Sequence, residues 1–168
     1  MASLAGLEAA TDVDAREMAF RRIALLNALS IASGGLATTY MGDEAGLLND
    51  TSYLDDPERA HEGRWLHRPD MDWSALDAPA ARRISGDLAT LRAARIASGG
   101  AGSPVAIATD SPALLGIGCG SDRVFLNFSD RAVPVDGLDG WRDRVSGRTC
   151  GGTLTIEPWG VVWASPAA

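Results

Sequence analysis

The stretch RVFLNFSDRAVPV, residues 123–135, holds two short apolar runs on either side of the turn residues Ser129 and Asp130. Short runs rich in Val, Phe and Leu that end at Ser, Asp or Gly are typical of β-strands. The same pattern of short apolar runs between turn residues continues over residues 105–164. The predicted strands are Val105–Thr109, Leu114–Gly118, Arg123–Phe128, Val133–Asp136, Trp141–Val145, Thr153–Glu157 and Val161–Ala164. Seven short strands at this spacing predict a small antiparallel β-sandwich.

Two helices are predicted ahead of the strands. Apolar residues recur at helical spacing over Asp14–Ser33, with Asp12 or Asp14 available as the N-cap, and so few polar positions remain that this helix should be largely buried. A second helical pattern covers Ala80–Ala97. Between the two helices, Leu36–Met41 is predicted as a short strand covered on both faces, as in a parallel sheet.

A long connection joins this predicted strand to the second helix. It begins at Gly42 and runs to about Pro79, and it contains three aromatic residues, Tyr53, Trp65 and Trp73. Loops of this length inside a compact fold are uncommon and are usually functional or disordered, and the aromatic residues argue against disorder. The order helix, strand, long loop, helix is typical of βα folds, in which loops after the strands build the active site.

Composition and charge exclude several classes of function. The chain has 168 residues and a net charge of −7, and residues 43–62 carry seven acidic residues against Arg59 alone. Nucleic acid and anionic membranes are therefore poor partners, because binding to phosphate requires a basic face. We found no apolar leader or membrane-spanning run, and Cys119 and Cys150 fit neither a metal motif nor a disulfide framework. We expect no metal and no cofactor.

Two motifs in the long loop carry a family resemblance. YMGDEAGLLND (residues 40–50), followed by GRWLHRP (residues 63–69), resembles the eighth strand and the following loop of amylosucrases, in the α-amylase superfamily (glycoside hydrolase family 13). The tail motifs, RVFLNFSDRAVPV and SGRTCGGTLTIEPWGVVWA (residues 146–164), resemble the C-terminal domain of that superfamily. The motif GDE is widely shared, whereas GDE, LND and RWxHRP at this spacing indicate amylosucrases or close sucrose hydrolases.

The resemblance implies a fold of class α/β plus all-β. Residues 1–97 would form the C-terminal end of a (β/α)8 TIM barrel, with helix 7, strand 8 and helix 8. Residues 98–104 would be a Gly-rich linker, and residues 105–168 would form the C-terminal β-sandwich. The implied reaction is a retaining glucosyl transfer, in which sucrose releases fructose and the glucosyl group passes to an α-1,4-glucan or to water.

The catalytic residues that this reaction requires are not expected in this chain. The family's nucleophile motif Gly-x-Arg-x-Asp does not occur, and neither does its His-Asp pair. We therefore expect a C-terminal portion of a longer enzyme, or a truncated reading frame, that is inactive by itself and cytoplasmic. Its partners would be the missing N-terminal barrel portion and, in the full-length enzyme, sucrose and α-glucan.

The resemblance assigns substrate binding to Arg64, whose guanidinium pairs with an acidic residue of an earlier loop in amylosucrases. That acidic residue would lie outside this chain, so Arg64 is expected to be unpaired here. Arg68 is expected to tie the loop to the acidic run Asp50–Glu62. Trp65 and Trp73 are expected to anchor the loop, because tryptophans in long loops more often do so by burial than stack on sugars. Besides Arg64, the residues of the possible active-site loop are Asp43, Glu44, Asn49, His67 and Arg68. Of these, Asp43, Glu44 and His67 are expected to be mainly structural.

Two alternatives remain open. The chain could be a stand-alone carbohydrate-binding or interaction module built on the β-sandwich, or part of a related trehalose synthase or α-glucosidase. A carbohydrate-binding platform requires exposed, coplanar aromatic rings, whereas aromatic residues within strands ordinarily pack in the core. The aromatic residues of the predicted sandwich are Phe125, Phe128, Trp141, Trp159 and Trp163.

Overall fold

The structure is a computed structural model that describes residues 1–99 and 103–167. Its α-helices are α1 (Val13–Ala32) and α2 (Pro79–Ala97). Its strands are β1 (Val105–Ile107), β2 (Leu114–Cys119), β3 (Asp122–Asn127), β4 (Val133–Val135), β5 (Trp141–Asp143), β6 (Leu154–Ile156) and β7 (Val161–Pro166). Both predicted helices and all seven strands of the predicted sandwich are confirmed, with small shifts at their ends.

The chain divides into two compact units. Unit 1 contains Met1–Ile23 and Thr39–Gly86, and unit 2 contains Ala24–Thr38 and Asp87–Ala168. Each helix therefore contributes its first part to unit 1 and the rest to unit 2. The division into residues 1–97, a linker at 98–104 and residues 105–168 stays a prediction, and residues 100–102 of that linker lie outside the described residues.

Helix α1 begins and ends where the sequence predicts. The Asp12 carboxylate accepts a hydrogen bond from the Ala15 amide at 2.7 Å, which satisfies one of the free N–H groups of the first turn. The helix ends before Gly34 and Gly35, whose positive φ angles of 87° and 65° suit glycine. Its predicted burial is confirmed at residues such as Ala19 and Leu25, which are 0% and 1% exposed.

The predicted strand Leu36–Met41 is wrong for this chain. The segment has no strand structure, and Leu36, Tyr40 and Met41 are exposed. A strand buried in a parallel sheet needs a partner on each side for its N–H and C=O groups. The described residues provide no such partner for this segment, so its backbone stays irregular. The TIM-barrel end therefore stays a prediction.

Seven antiparallel strands form two sheets in unit 2. The larger sheet has the order β1-β2-β3-β7-β5, and β4 pairs with β6 in the smaller one. Phe125 and Val162 from the larger sheet share one buried apolar cluster with Val133 and Ile156 from the smaller sheet. The two sheets thus enclose a common core, as in a β-sandwich. The described chain is an α+β structure whose sheets are entirely antiparallel.

Asn127 explains why the stretch at residues 123–135 folds as it does. Its side chain is fully buried, and its Nδ2 donates to the carbonyl groups of Arg131, Ile156 and Glu157 at 2.6–3.1 Å. Its Oδ1 accepts hydrogen bonds from the amide and the hydroxyl of Ser129. One buried amide therefore ties the turn after β3 to the end of β6, and all of its hydrogen-bonding groups are satisfied.

Candidate functional site

The long loop lies in unit 1 and contains three 3₁₀ turns, Ser52–Asp55, Gly63–His67 and Trp73–Asp77. Acidic side chains organise this part of the chain by accepting hydrogen bonds from the backbone N–H two residues later. The donor–acceptor pairs are Ser52 to Asp50 at 2.8 Å, Glu58 to Asp56 at 2.9 Å, Arg64 to Glu62 at 3.0 Å and Ser74 to Asp72 at 2.9 Å. Much of the acidic run thus has a structural use besides forming a solvated face.

These hydrogen bonds favour the charged carboxylates. Those from the Ser52 backbone and side chain lower the pKa of Asp50. Those from the Ser74 side chain and backbone lower the pKa of Asp72. Asp and Glu residues in a polar stretch without regular periodicity are the sequence signal that could have predicted these turns.

Arg64 lies on the Gly63–His67 turn and is paired, contrary to the expectation that it would be unpaired. Its Nη2 donates to Glu62 Oε2 at 2.6 Å, and its side chain is 69% exposed. The hydrogen bond from Arg64 lowers the pKa of Glu62 to about 2, and the same contact raises the pKa of Arg64. Glu62 is a neighbour on the loop itself, whereas the resemblance to amylosucrases placed the acidic partner of Arg64 outside the chain.

The structure brings Asn49 and His67 together. His67 Nδ1 lies 3.1 Å from Asn49 Oδ1, a hydrogen bond that requires the proton on Nδ1. Next to this contact, the Asp50 amide donates to the Leu66 carbonyl at 3.0 Å. Two segments far apart in sequence, LND and RWLH, are thereby joined. The contact fixes the His67 ring from one side and leaves its Nε2 available to a ligand.

Asp43 and Glu44 form a separate group of contacts. Asp43 Oδ1 accepts from the Met1 ammonium group at 2.9 Å, and Glu44 Oε2 accepts from the Gly42 amide at 3.0 Å. Over residues 1–99 and 103–167, no hydrogen bond or ion pair joins either carboxylate to Arg64, His67 or Arg68. In the part of the chain that the structure describes, Asn49 and His67 are the only predicted loop residues that a hydrogen bond or ion pair joins to one another.

Arg59, and not Arg68, ties the loop to the acidic run. Its guanidinium lies 3.4 Å from Asp56 and 3.7 Å from Asp70, and 4.6 Å from the centre of the Trp65 ring. Arg68 is exposed and makes no ion pair within the described part of the chain. Because Arg59 is the one basic residue among seven acidic ones, its sequence position could have indicated this role.

The two tryptophans of the loop differ in burial. Trp65 is half-buried beneath Arg59, which agrees with the predicted anchoring role. The same expectation is wrong for Trp73, whose surface is 67% exposed. An exposed ring offers a flat apolar face to a ligand such as a sugar. Trp73 is therefore a candidate binding residue, whereas the sequence had predicted that it anchors the loop.

The sandwich does not present an aromatic platform on its strands. Phe125 and Trp163 are 4% and 0% exposed, as predicted for core residues. The Trp141 ring is half-buried, and the Arg123 guanidinium lies 4.6 Å from its centre. These three rings are therefore occupied by packing.

Two kinds of feature are absent from residues 1–99 and 103–167. No helix there is long and apolar enough to cross a bilayer. No group of three or more His, Cys, Asp or Glu side chains is arranged to hold a metal ion.

No family model matches the sequence, whereas several solved structures have a similar fold. The type III pullulan hydrolase of Thermococcus kodakarensis matches 89% of this chain and 24% of its own, with a TM-score of 0.65 and 18% identity. The maltogenic amylase of S. marinus matches 88% of this chain and 20% of its own, with a TM-score of 0.57 and 21% identity. A trehalulose synthase variant matches 86% of this chain and 38% of its own, with a TM-score of 0.61 and 14% identity.

These matches establish the fold. The likeness covers most of this chain and only a part of each of these larger proteins. The identities are too low to define an activity, and the chain spans between a fifth and two-fifths of the length of these neighbours. Membership of the superfamily that the motifs resemble therefore stays a prediction, and so does the narrower assignment to amylosucrases.

Proposed function

We propose that this chain provides the last sugar-binding loop and the C-terminal β-sandwich of an α-amylase-superfamily enzyme that cleaves or transfers α-glucosyl groups. The observation that carries the proposal is a fold likeness covering 86–89% of the chain in three such neighbours. The motifs GDE, LND and RWLHRP support it independently. The catalytic carboxyl groups would come from residues outside this sequence, because their motifs are absent from it.

Within that superfamily we propose sucrose as the glucosyl donor and an α-1,4-glucan or water as the acceptor. This assignment rests on the RWLHRP motif and on Arg64. A planar guanidinium makes two parallel hydrogen bonds to a carboxylate, so Arg64 could close the bottom of a glucosyl pocket rigidly. Its present partner, Glu62, is a weak competitor, because an ion pair this exposed contributes little to stability. Arg64 can therefore exchange Glu62 for a carboxylate of the complete enzyme at small cost.

Two further groups of the loop fit a sugar. The Asn49 contact orients His67, and the imidazole Nε2 would bind a sugar hydroxyl. The exposed Trp73 ring would stack on a pyranose face. Asp43 and Glu44 would shape the backbone at the start of the loop without touching the substrate. We place the protein in the cytoplasm as part of the same proposal.

The test is to isolate, from the source organism, the polypeptide that carries this sequence, using an antibody against residues 105–168. It is then assayed with sucrose, trehalose and maltose. We expect fructose release from sucrose, and we expect no release by the 168-residue chain itself. Hydrolysis or isomerisation of trehalose or maltose without action on sucrose would instead support a trehalose synthase or α-glucosidase. Such a result would contradict the amylosucrase assignment.

A substitution sharpens the test. In that polypeptide, Arg64→Ala should lower kcat/KM for sucrose by about tenfold to a hundredfold, because a charged clamp on the substrate pocket is lost. The matched control is Arg82→Ala, which removes an exposed arginine on α2 that lies 3.9 Å from Asp77. Equal activities of the two variants would contradict the role of Arg64.

A second function, trehalose or trehalulose synthesis, has some support of its own. A hypothetical maltooligosyl trehalose synthase of Sulfolobus tokodaii matches 90% of this chain with a TM-score of 0.62 and 17% identity, alongside the trehalulose synthase. The fold fits both functions equally, and the loop motif favours sucrose. A stand-alone carbohydrate-binding role is less favoured, because the rings of Phe125, Trp141 and Trp163 are occupied by packing.

A further inference from the structure

A cleft lined by arginine side chains lies in unit 2, far in sequence from the long loop. A cavity of about 410 Å³ is lined by residues of α2, β5 and β7. A second cavity of about 470 Å³ shares Arg142, Arg144 and Ser165 with the first. The two cavities therefore adjoin, and together they are called the cleft. Each of them is large enough for a ligand of monosaccharide size.

Arg142 presents a positive charge to both cavities. Its Nε donates to the Gly147 carbonyl at 3.2 Å, which holds one edge of the guanidinium. In the part of the chain that the structure describes, no carboxylate lies within ion-pair distance of it. No described residue accepts a hydrogen bond from the terminal Nη groups of this exposed side chain, so these groups can donate to a ligand.

Arg144 provides a second, more rigid donor. Its Nε and Nη2 donate to the buried Asp122 carboxylate at 2.5 and 3.2 Å, and Asp122 also accepts from Trp163 Nε1 at 3.0 Å. These contacts fix the plane of the guanidinium. Its Nη1 makes no hydrogen bond to a described residue, and Arg144 lines both cavities.

The surrounding charges favour an anion. Residues 141–149, WRDRVSGRT, contain three arginines and one acidic residue in a chain whose net charge is −7. That acidic residue, Asp143, is 6% exposed, and its carboxylate is fully engaged by the amides of Val145, Ser146 and Trp163 and the Ser146 hydroxyl. Asp143 therefore organises the β5 turn and does not occupy the guanidinium groups.

We propose that this cleft binds a small oxyanion of the phosphate class, either inorganic phosphate or the phosphate group of a sugar phosphate. Two guanidinium groups with free terminal donors match the oxygens of a phosphate group. The cleft has room for an attached sugar ring. An extended polyanion such as a nucleic acid is disfavoured, because the rest of the chain is acidic. This proposal stands independently of the glucosyl-transfer proposal.

The test is calorimetric titration of the full chain with inorganic phosphate, glucose 6-phosphate and glucose. Arg142→Ala should weaken phosphate binding at least about tenfold, because a charge-assisted hydrogen bond is lost. The matched control is Arg131→Ala, which removes an exposed arginine that lines neither of the two cavities. It should leave the affinity within about twofold. Circular dichroism checks that both variants keep the parent fold.

Each outcome decides the proposal. Tighter binding of glucose 6-phosphate than of phosphate identifies a sugar phosphate as the ligand, and equal affinities identify the free oxyanion. The proposal is overturned if neither phosphate compound binds saturably. It is also overturned if Arg142→Ala and Arg131→Ala weaken binding equally, because the effect would then reflect overall charge alone.

Discussion

Two arginine–carboxylate contacts of nearly equal length occupy very different places in this protein. Arg144 lies 2.5 Å from Asp122 within the sandwich, and the Asp122 side chain is 0% exposed. Arg64 lies 2.6 Å from Glu62 in the long loop, where the two side chains are 69% and 33% exposed. The distance between the charged atoms does not by itself determine how much a contact contributes to stability. Burial makes the first contact essential to the sandwich, and exposure leaves the second free to be replaced by a ligand or a partner.

Removing Asp122 should have the largest effect. Asp122→Ala leaves the half-buried Arg144 and the buried Trp163 indole without an acceptor, so we expect the free energy of unfolding to fall by about 3–5 kcal/mol. Urea denaturation followed by circular dichroism measures this change. The counterpart, Glu62→Ala, should leave the denaturation midpoint unchanged. Similar shifts in the two variants would contradict the contrast drawn from burial.

Two asparagines allow the same comparison without charge. Asn127→Ala removes a buried amide that serves three carbonyl groups and the Ser129 turn, and should cost about 2–4 kcal/mol. Asn49→Ala removes the single contact to His67 in the loop and should cost less than about 1 kcal/mol. The same urea denaturation applies. A cost for Asn49→Ala as large as that for Asn127→Ala would show that the loop depends on its polar contacts as strongly as the sandwich does.

The smallest effect is expected in the acid titration of the loop. The pKa of Glu62 is lowered from its ordinary value of 4.5 to about 2, so the stabilisation from its contact with Arg64 is complete above pH 4.5 and is lost as the pH falls through about 2. The carboxyl carbon shift of Glu62 in NMR reports this titration. Arg64→Ala should move the midpoint back toward 4.5, and Arg82→Ala should not. A midpoint near 4.5 in the parent chain would show that the pair does not form in solution.

Much of the fold could be predicted from the sequence, because its elements follow local rules. The seven strands of the sandwich were recognisable from short apolar runs between turn residues, and α1 from its capping aspartate and terminal glycines. These signals act within a few residues of the chain. The strand predicted at Leu36–Met41 shows their limit, because a strand forms only where partners are present to take its hydrogen bonds.

The candidate site was less predictable. Sequence comparison pointed to Arg64, His67 and Asn49, and the structure adds that Asn49 and His67 touch. The sequence could not indicate that Glu62 would form an ion pair with Arg64, or that Arg59 would replace Arg68 as the link to the acidic run. Nor could it indicate that Trp73 would be exposed. Those outcomes depend on which long side chains meet in an irregular loop, where no regular period constrains them.

The sequence by itself thus determined the two α-helices and the seven strands of the sandwich, the acidic character of the chain and the motifs that resemble amylosucrases. Only the tertiary structure decided which polar groups are buried. Asp122 and Glu62 are both carboxylates that directly follow a turn residue, so their position next to a turn does not distinguish them. Packing places one under Trp163 and leaves the other in water. The free energy of a charged group depends on its surroundings, which are assembled from distant parts of the chain.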